Sequence, residues 1–309
     1  MDSRLIWLAL AAFVGAVEGG LIAGLLPLIG KDMGVSIGQA GLMVFGYSIA
    51  YAIGTPLLAV LLGGIGRRRI LAWSELGLAI CALLLAIIPF FEGLVAARTV
   101  LAVCAGTFTG TATATAAMIA PAGQRGRYMQ TISIGQSLAA LVGVPIGAYV
   151  AAQFDWRLVY WGIATMAAAA SLVLYLRLPR GMHGDTQTMR ERVRVLGNPG
   201  VLPTLAVSML FWVGAAPVTV YIGAIMSFAG VRLDALPLVF FAGGVGAFAS
   251  SFFAGRLADR LGNRAAVTIA SLTAIALLAA YAALPYLPVE ARLPALLVVV
   301  AIQAYALWG

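Results

Sequence analysis

Apolar residues in this chain fall in long unbroken blocks separated by short polar breaks, not in the periodic patterns of half-buried elements. A helix needs about 20 apolar residues to cross about 30 Å of hydrocarbon. Ten blocks reach that length, over roughly residues 5–29, 40–63, 70–91, 94–120, 128–152, 158–177, 201–229, 235–255, 265–287 and 293–309. Barrel strands read as alternating segments of about ten residues, and these blocks are longer and continuous. Helices also satisfy their own backbone groups within each span, as hydrocarbon demands. The pattern predicts an all-α polytopic membrane protein whose first partner is the lipid bilayer.

Composition agrees with that reading. The chain is 62% hydrophobic and 10% charged, with a mean hydropathy of +1.02. A soluble domain carries about 25% charged residues, so this chain lacks the polar surface to face water. A formal net charge of +8 suggests a nucleic-acid partner at first sight. The placement of the charges argues for no nucleic acid. With the N-terminus inside, the inner side holds Arg4, Arg67, Arg68, Arg69, Arg125, Arg127, Arg177, Arg180, Arg190, Arg192, Arg194, Arg256, Arg260 and Arg264. The outer side holds only Lys31, Arg157, Arg232 and Arg292, and Arg98 lies within a span. This positive-inside bias predicts a cytoplasmic N-terminus. Cys81 and Cys104 both fall in spans, where packing is the better expectation than a disulfide or metal site. The first block runs past Glu18 to Ile29 with no clean cleavage site, so it reads as a retained helix.

Connections between spans are short, with one exception. The polar segment 178–200 divides the chain into residues 1–177 and 201–309. Within it, Met189–Leu196 reads either as a short surface helix near anionic headgroups or as a solvated linker, with His183 in solvent. An internal echo crosses the divide. Gly66-Arg67-Arg68-Arg69 follows the second span, and Gly255-Arg256-Leu257-Ala258-Asp259-Arg260-Leu261-Gly262-Asn263-Arg264 follows the eighth. Aligning Gly66 with Gly262 predicts a six-helix unit, a linker and four helices of a second unit, ten transmembrane helices out of twelve. The chain is thus expected to be a C-terminally truncated fragment or else a ten-span variant.

The segment 255–264, GRLADRLGNR, resembles the loop signature of the major facilitator superfamily between the second and third helices of each half. The resemblance implies a fold of two pseudo-symmetric helical bundles, with Gly255, Asp259, Arg260, Gly262 and Arg264 forming a conformational latch. The first-half copy keeps Gly66, Arg67 and Arg68 but has Gly63 in place of the acid. In the fifth span Gly135, Ala139, Gly143 and Gly147 recur every four residues around Pro145. Such a stripe lets another helix approach closely, and GQSLAALVGVPIG resembles the antiporter motif of exporters in this superfamily. Glu18 before GGLIAGLLPLI resembles the first helix of its drug–proton antiporter and sugar-efflux-like branch. Arg98 resembles the superfamily's intramembrane arginine, and Asp155-Trp156-Arg157 its outer-loop pattern. Ala105 stands where sugar-efflux-like members carry a histidine, so the resemblance implies no particular sugar.

An ionisable group inside a span is by default a functional candidate. Glu18 lies about 20 Å from the inner face and Arg98 about 6–8 Å below the outer one, by the rise of a helix. In a core of about 30 Å these depths are similar, so the two pair if their helices are neighbours. Low dielectric favours a neutral carboxyl and a nearby guanidinium favours the ionised one, which makes the pair a candidate proton-coupling site. A structural ion pair, or a Glu18 reaching the outer headgroups, is the alternative. Glu75 is expected to pair with Arg67–Arg69 or to reach outward. Thr107 and Thr111 share a face of the fourth span with Thr115, and either line a solute path or bond their own helix. Gln136, Trp212 and Tyr221 are further candidates for a central cavity.

The expected function is secondary active transport: proton-coupled efflux of a small organic solute by alternating access. The expected setting is a bacterial inner membrane, with a monomer driven by the proton gradient and no cofactor. No phosphate-binding Gly-rich loop with Lys occurs, which argues against ATP drive. An integral-membrane enzyme would need a clustered constellation, and one histidine without an HExxH offers none. The alternative to a transporter is a truncated, transport-incompetent scaffold.

Overall fold

The computed structural model describes residues 3–121, 123–182, 194, 197–198 and 201–308, apart from the side chains at 3, 204, 252, 254–261, 263, 264, 266 and 308. Among the described residues, ten helices are long and apolar enough to cross a membrane. They are α1 (Ser3–Met33), α2 (Leu42–Leu61), α3 (Arg67–Ile87), α4 (Phe91–Ile119), α5 (Arg125–Leu138, continued by Val144–Gln153) and α6 (Trp156–Arg177). After segment 178–200 come α7 (Val201–Val220), α8 (Leu236–Leu261), α9 (Asn263–Ala283) and α10 (Val289–Trp308). No strand occurs among the described residues.

Local chemistry sets the helix ends. A capping box at Ser36 opens the short turn before α2. Its hydroxyl accepts from the Gln39 amide at 3.2 Å, and its own amide donates to Gln39 Oε1 at 2.9 Å. Asp155 caps α6 by accepting from the Arg157 amide at 2.8 Å. Gly66 and Gly262, matched in the sequence echo, both stand at the N-cap of the helix that follows, α3 and α9. Only Gly262 needs the left-handed region, at φ +82°.

Helix α5 is not uniform. Ala139–Gly143 forms a π-turn immediately before Val144 and Pro145. Proline has no amide to donate and its ring crowds the carbonyl four residues back, and a wider turn accommodates both. The stripe on either side of this turn meets α1 in step: Gly135 against the backbone of Ala9, Gly143 against Val17, Gly147 against Leu21. A β-carbon on any of the three would overlap those atoms, so the absence of bulk sets the separation of α1 and α5.

The largest buried apolar cluster joins α1, α3, α4, α5 and α6, including Leu25, Leu78, Leu85, Leu101 and Ile163. A second sits toward the arginine-rich ends of α1, α3, α4 and α6, and a third joins α8, α9, α10 and the segment after α7. The six N-terminal helices meet the later ones chiefly along α5 and α8. There Gln130 Nε2 donates to the Ser251 carbonyl at 3.1 Å, and the Ser137 and Ser251 hydroxyls lie 2.7 Å apart. Most of the apolar surface elsewhere faces outward, as in Phe45, Ile53, Leu76 and Leu172. For helices in lipid that outward face is the expected one.

Candidate functional site

Four helices bring polar side chains to one buried point. Arg98 on α4 and Glu18 on α1 are each 1% exposed. Arg98 Nη1 donates to Glu18 Oε1 and, at 3.2 Å, to the Tyr160 hydroxyl on α6. The guanidinium also lies over the Tyr47 ring of α2, 4.9 Å from its centroid. Tyr47 stacks on Tyr51 with centroids 6.0 Å apart, and Trp156 meets the Tyr160 ring edge-on at 5.9 Å. The two charges that depth alone suggested as partners do meet, and two tyrosines complete their surroundings. Two hydrogen bonds from Nη1 and a π-face partly satisfy the arginine, while Arg98 Nε and Glu18 Oε2 have no hydrogen-bond partner among the described residues.

At the end opposite the arginine-rich loops, the Asp155-Trp156-Arg157 run ties three helices together. Arg157 Nη1 donates to the carbonyls of Ala86 at 3.2 Å and Ile88 at 2.9 Å, which would otherwise be free at the end of α3. Its other nitrogen lies 3.5 Å from Asp32 at the end of α1, and Trp156 Nε1 donates to the same carboxylate at 3.2 Å. Arg157 also stacks on Trp156, 4.4 Å from the ring.

The remaining candidates are spread out. The side chains of Asp259, Arg260 and Arg264 lie outside the described residues, as does His183, and Gly255 is placed only by its backbone within α8. Arg67 bonds the chain beyond α6 through its amide, 2.8 Å from the Met182 carbonyl. Arg68 lies over the Tyr175 ring at 4.4 Å. Thr107 and Thr115 bond carbonyls of their own helix at 2.7 Å, as Thr109 and Thr113 do at 2.9 Å. Thr107 and Thr111 also line a cleft of about 330 Å³ between α2, α3 and α4, with Arg67 in its lining. Trp212 is half-exposed on the surface of α7, Gln136 is partly buried on α5, and Tyr221 brings its hydroxyl near Gly41.

Glu75 differs from its expectation. It is fully buried, and neither carboxyl oxygen has a hydrogen-bond partner among the described residues. Arg68 is two turns away on its own helix, about 10 Å along the axis, and turns to Tyr175 instead. Cys104 on α4 is the ionisable group within electrostatic reach of Glu75.

Sequence reasoning missed the polar centre of the later helices. The Tyr281 hydroxyl of α9 donates to Gln303 Oε1 of α10, and Gln303 Nε2 donates to the Ala215 carbonyl of α7 at 3.4 Å. Two apolar cavities of about 310 and 140 Å³ share Tyr281 and Gln303, and the smaller reaches Gly20 and Val144 of the other helices. A glutamine in the last span was the available signal.

The helix order, the paired charges and the glycine-lined α1–α5 contact define a polytopic transporter fold. The profile described as Major Facilitator Superfamily matches residues 8–309, and the chain belongs to that superfamily. It is 30% identical over 305 residues to a chloramphenicol efflux pump of Mycobacterium tuberculosis, covering 98% of this chain and 73% of that one. It is 28% identical over 261 residues to the uncharacterized transporter YbcL of Bacillus subtilis, covering 82% of this chain and 66% of the relative. The chain thus spans about two-thirds of the length of such relatives. A D-xylose–proton symporter superposes with a TM-score of 0.74 at 16% identity, over 98% of this chain and 78% of that one. An inward-facing bacterial homologue of the lysosomal transporter Spinster gives 0.71 at 18%, over 100% and 73%. The chain is a multi-pass membrane protein of a transporter family, not an enzyme.

Proposed function

We propose that this chain exports a small, largely apolar organic solute in exchange for protons, by alternating access between residues 1–177 and 201–309 about the linker 178–200. The observation that carries the reading is the buried Glu18–Arg98 pair held by α1, α2, α4 and α6. Removing two charges from water costs several kcal/mol per ion before pairing restores it. An ion pair and a neutral acid beside a guanidinium are therefore close enough in free energy for a change of cavity to choose between them. Tyr160 and Tyr47 hold the guanidinium in place when the carboxyl takes a proton. The efflux activity named for the mycobacterial relative supports the outward direction, and the apolar cavities at Tyr281 and Gln303 suit a solute with one or two polar groups. The charge asymmetry supports an N-terminus in the cytoplasm of a bacterial inner membrane, and the chain acts as a monomer.

The test is transport by Glu18→Gln in proteoliposomes carrying an imposed pH gradient, with chloramphenicol as the probe solute. Glutamine keeps the shape and a hydrogen bond to Arg98 but holds no exchangeable acid proton. Gradient-driven accumulation is expected to vanish while downhill exchange of the solute survives. Accumulation at the rate of the unaltered chain would rule out the coupling role.

A further inference from the structure

Glu75 belongs to none of the features used so far. It sits on α3 eight residues in from Arg67, about 12 Å from the arginine-rich end. It is 0% exposed, and neither carboxyl oxygen has a hydrogen-bond partner among the described residues. A carboxylate left so would have lost hydration worth many kcal/mol with nothing in return. Among the described residues no counter-charge faces it. Across from it on α4 stands Cys104, whose sulfur packs against Gly77 of α3 and faces Cys81, a turn and a half further along. From α1 the contact is Gly15 against Leu78, with Glu18 reaching only as far as Cys81 and engaged with Arg98. From α6, Ser171 donates to the Ala72 carbonyl at 2.7 Å, and Tyr160 is engaged with Arg98. On its own helix Ser74 bonds the Ile70 carbonyl at 2.7 Å, and Arg68 turns to Tyr175.

A cleft lies close by. Cys104 is only partly buried. One turn along the same face of α4, Thr107 lines the cleft of about 330 Å³ whose lining also includes Arg67 at the arginine-rich end. Thiol, hydroxyl and cleft thus lie in sequence between Glu75 and the loop region.

We propose that Glu75 is a second proton-binding site of this chain, separate from the Glu18–Arg98 pair, filled in this conformation and exchanging with water at the arginine-rich end past Cys104 and Thr107. The step is a simple transfer: the carboxyl O–H gives its proton to water entering by the cleft and leaves a carboxylate, and the reverse refills it. The site stands whether or not Glu18 couples transport.

Infrared spectra of the full chain in lipid bilayers test it directly. Exposed acids contribute to every spectrum, so the informative quantity is the difference between Glu18→Gln and the Glu18→Gln/Glu75→Gln pair. The expected difference is one carboxylic-acid carbonyl band that shifts in heavy water and is lost as the pH is raised. Two outcomes overturn the proposal. A difference spectrum with no such band means that Glu75 holds no proton. A band that neither shifts in heavy water nor disappears at alkaline pH means a sealed structural acid. Glu75→Leu replaces the glutamine variant if the latter does not fold, and yields the same difference. Transport by Glu18→Gln reports on the first site alone, so failure of one assignment leaves the other standing.

Discussion

Arg98 reaches from α4 to Glu18 on α1, eighty positions earlier in the chain, and each residue keeps one polar atom unpartnered in a site sealed from solvent. Breaking such a pair differs from deleting it. Arg98→Ala leaves a buried carboxylate without its cation, and losses of this kind run to about 3–5 kcal/mol. Glu18→Gln/Arg98→Ala removes both charges and is expected to recover most of that loss. Thermal unfolding in detergent, followed on the two variants and the parent chain, reads this order. A double variant no more stable than Arg98→Ala would mean that the pair is not the stabilising unit.

Gly135 gives a prediction about packing. Its missing β-carbon is where the Ala9 carbonyl sits, and backbone cannot yield as a side-chain tip can. Gly135→Ala must push α5 away from α1, at a cost of about 1–3 kcal/mol. Gly126→Ala, on the same helix but with open space around it, is the matched control and is expected to be neutral or slightly stabilising. Folded yield and melting temperature of the two variants should separate clearly.

Arg157 gives one about helix ends. Its guanidinium serves the Ala86 and Ile88 carbonyls, the Asp32 carboxylate and the Trp156 face at once. Arg157→Ala strands two carbonyls, worth about 1–3 kcal/mol for each that stays buried, and leaves the half-exposed Asp32 carboxylate to its Trp156 donor. Arg157→Lys keeps the charge but not the planar fork, so it should recover only part of the loss. Hydrogen exchange at the last turn of α3 is the local readout, and it should rise in Arg157→Ala before any global change.

How much of this was legible beforehand follows from the kind of signal each feature leaves. The ten spans were plain because hydrocarbon thickness fixes a run length that no soluble element needs. Glu18 and Arg98 stood out because a charge in an apolar block has so few explanations. Tyr47 and Tyr160 did not, since a tyrosine in a span fits an interface, a cavity or a packed core, and only helix rotation decides. The same missing angle explains Glu75. Its arginines are close in sequence, but α3 turns its carboxyl toward α4 while Arg68 leans on α6. Tyr281 and Gln303 meet across a loop-sized gap in sequence, yet nothing local marks them as partners.

The seam between the two sets of helices offers the last prediction. Gly244 of α8 lies against the backbone of Ala140 and Leu141, inside the π-turn of α5. The turn widens α5 just where α8 comes nearest, so the contact is backbone on backbone. Gly244→Ala would force the helices apart and disfavour this arrangement by about 1–3 kcal/mol, a shift of roughly fivefold or more in any equilibrium between closed and parted seams. A cysteine pair at Ser137 and Ser251, whose hydroxyls lie 2.7 Å apart across the seam, reports its closure by cross-linking. Cross-linking is expected to fall about fivefold or more in Gly244→Ala and to stay unchanged in Gly214→Ala, where the added methyl meets open space. Equal cross-linking in both would mean that the seam does not depend on this approach. Slowed transport together with lost cross-linking would tie the parting of α5 and α8 to the transport cycle.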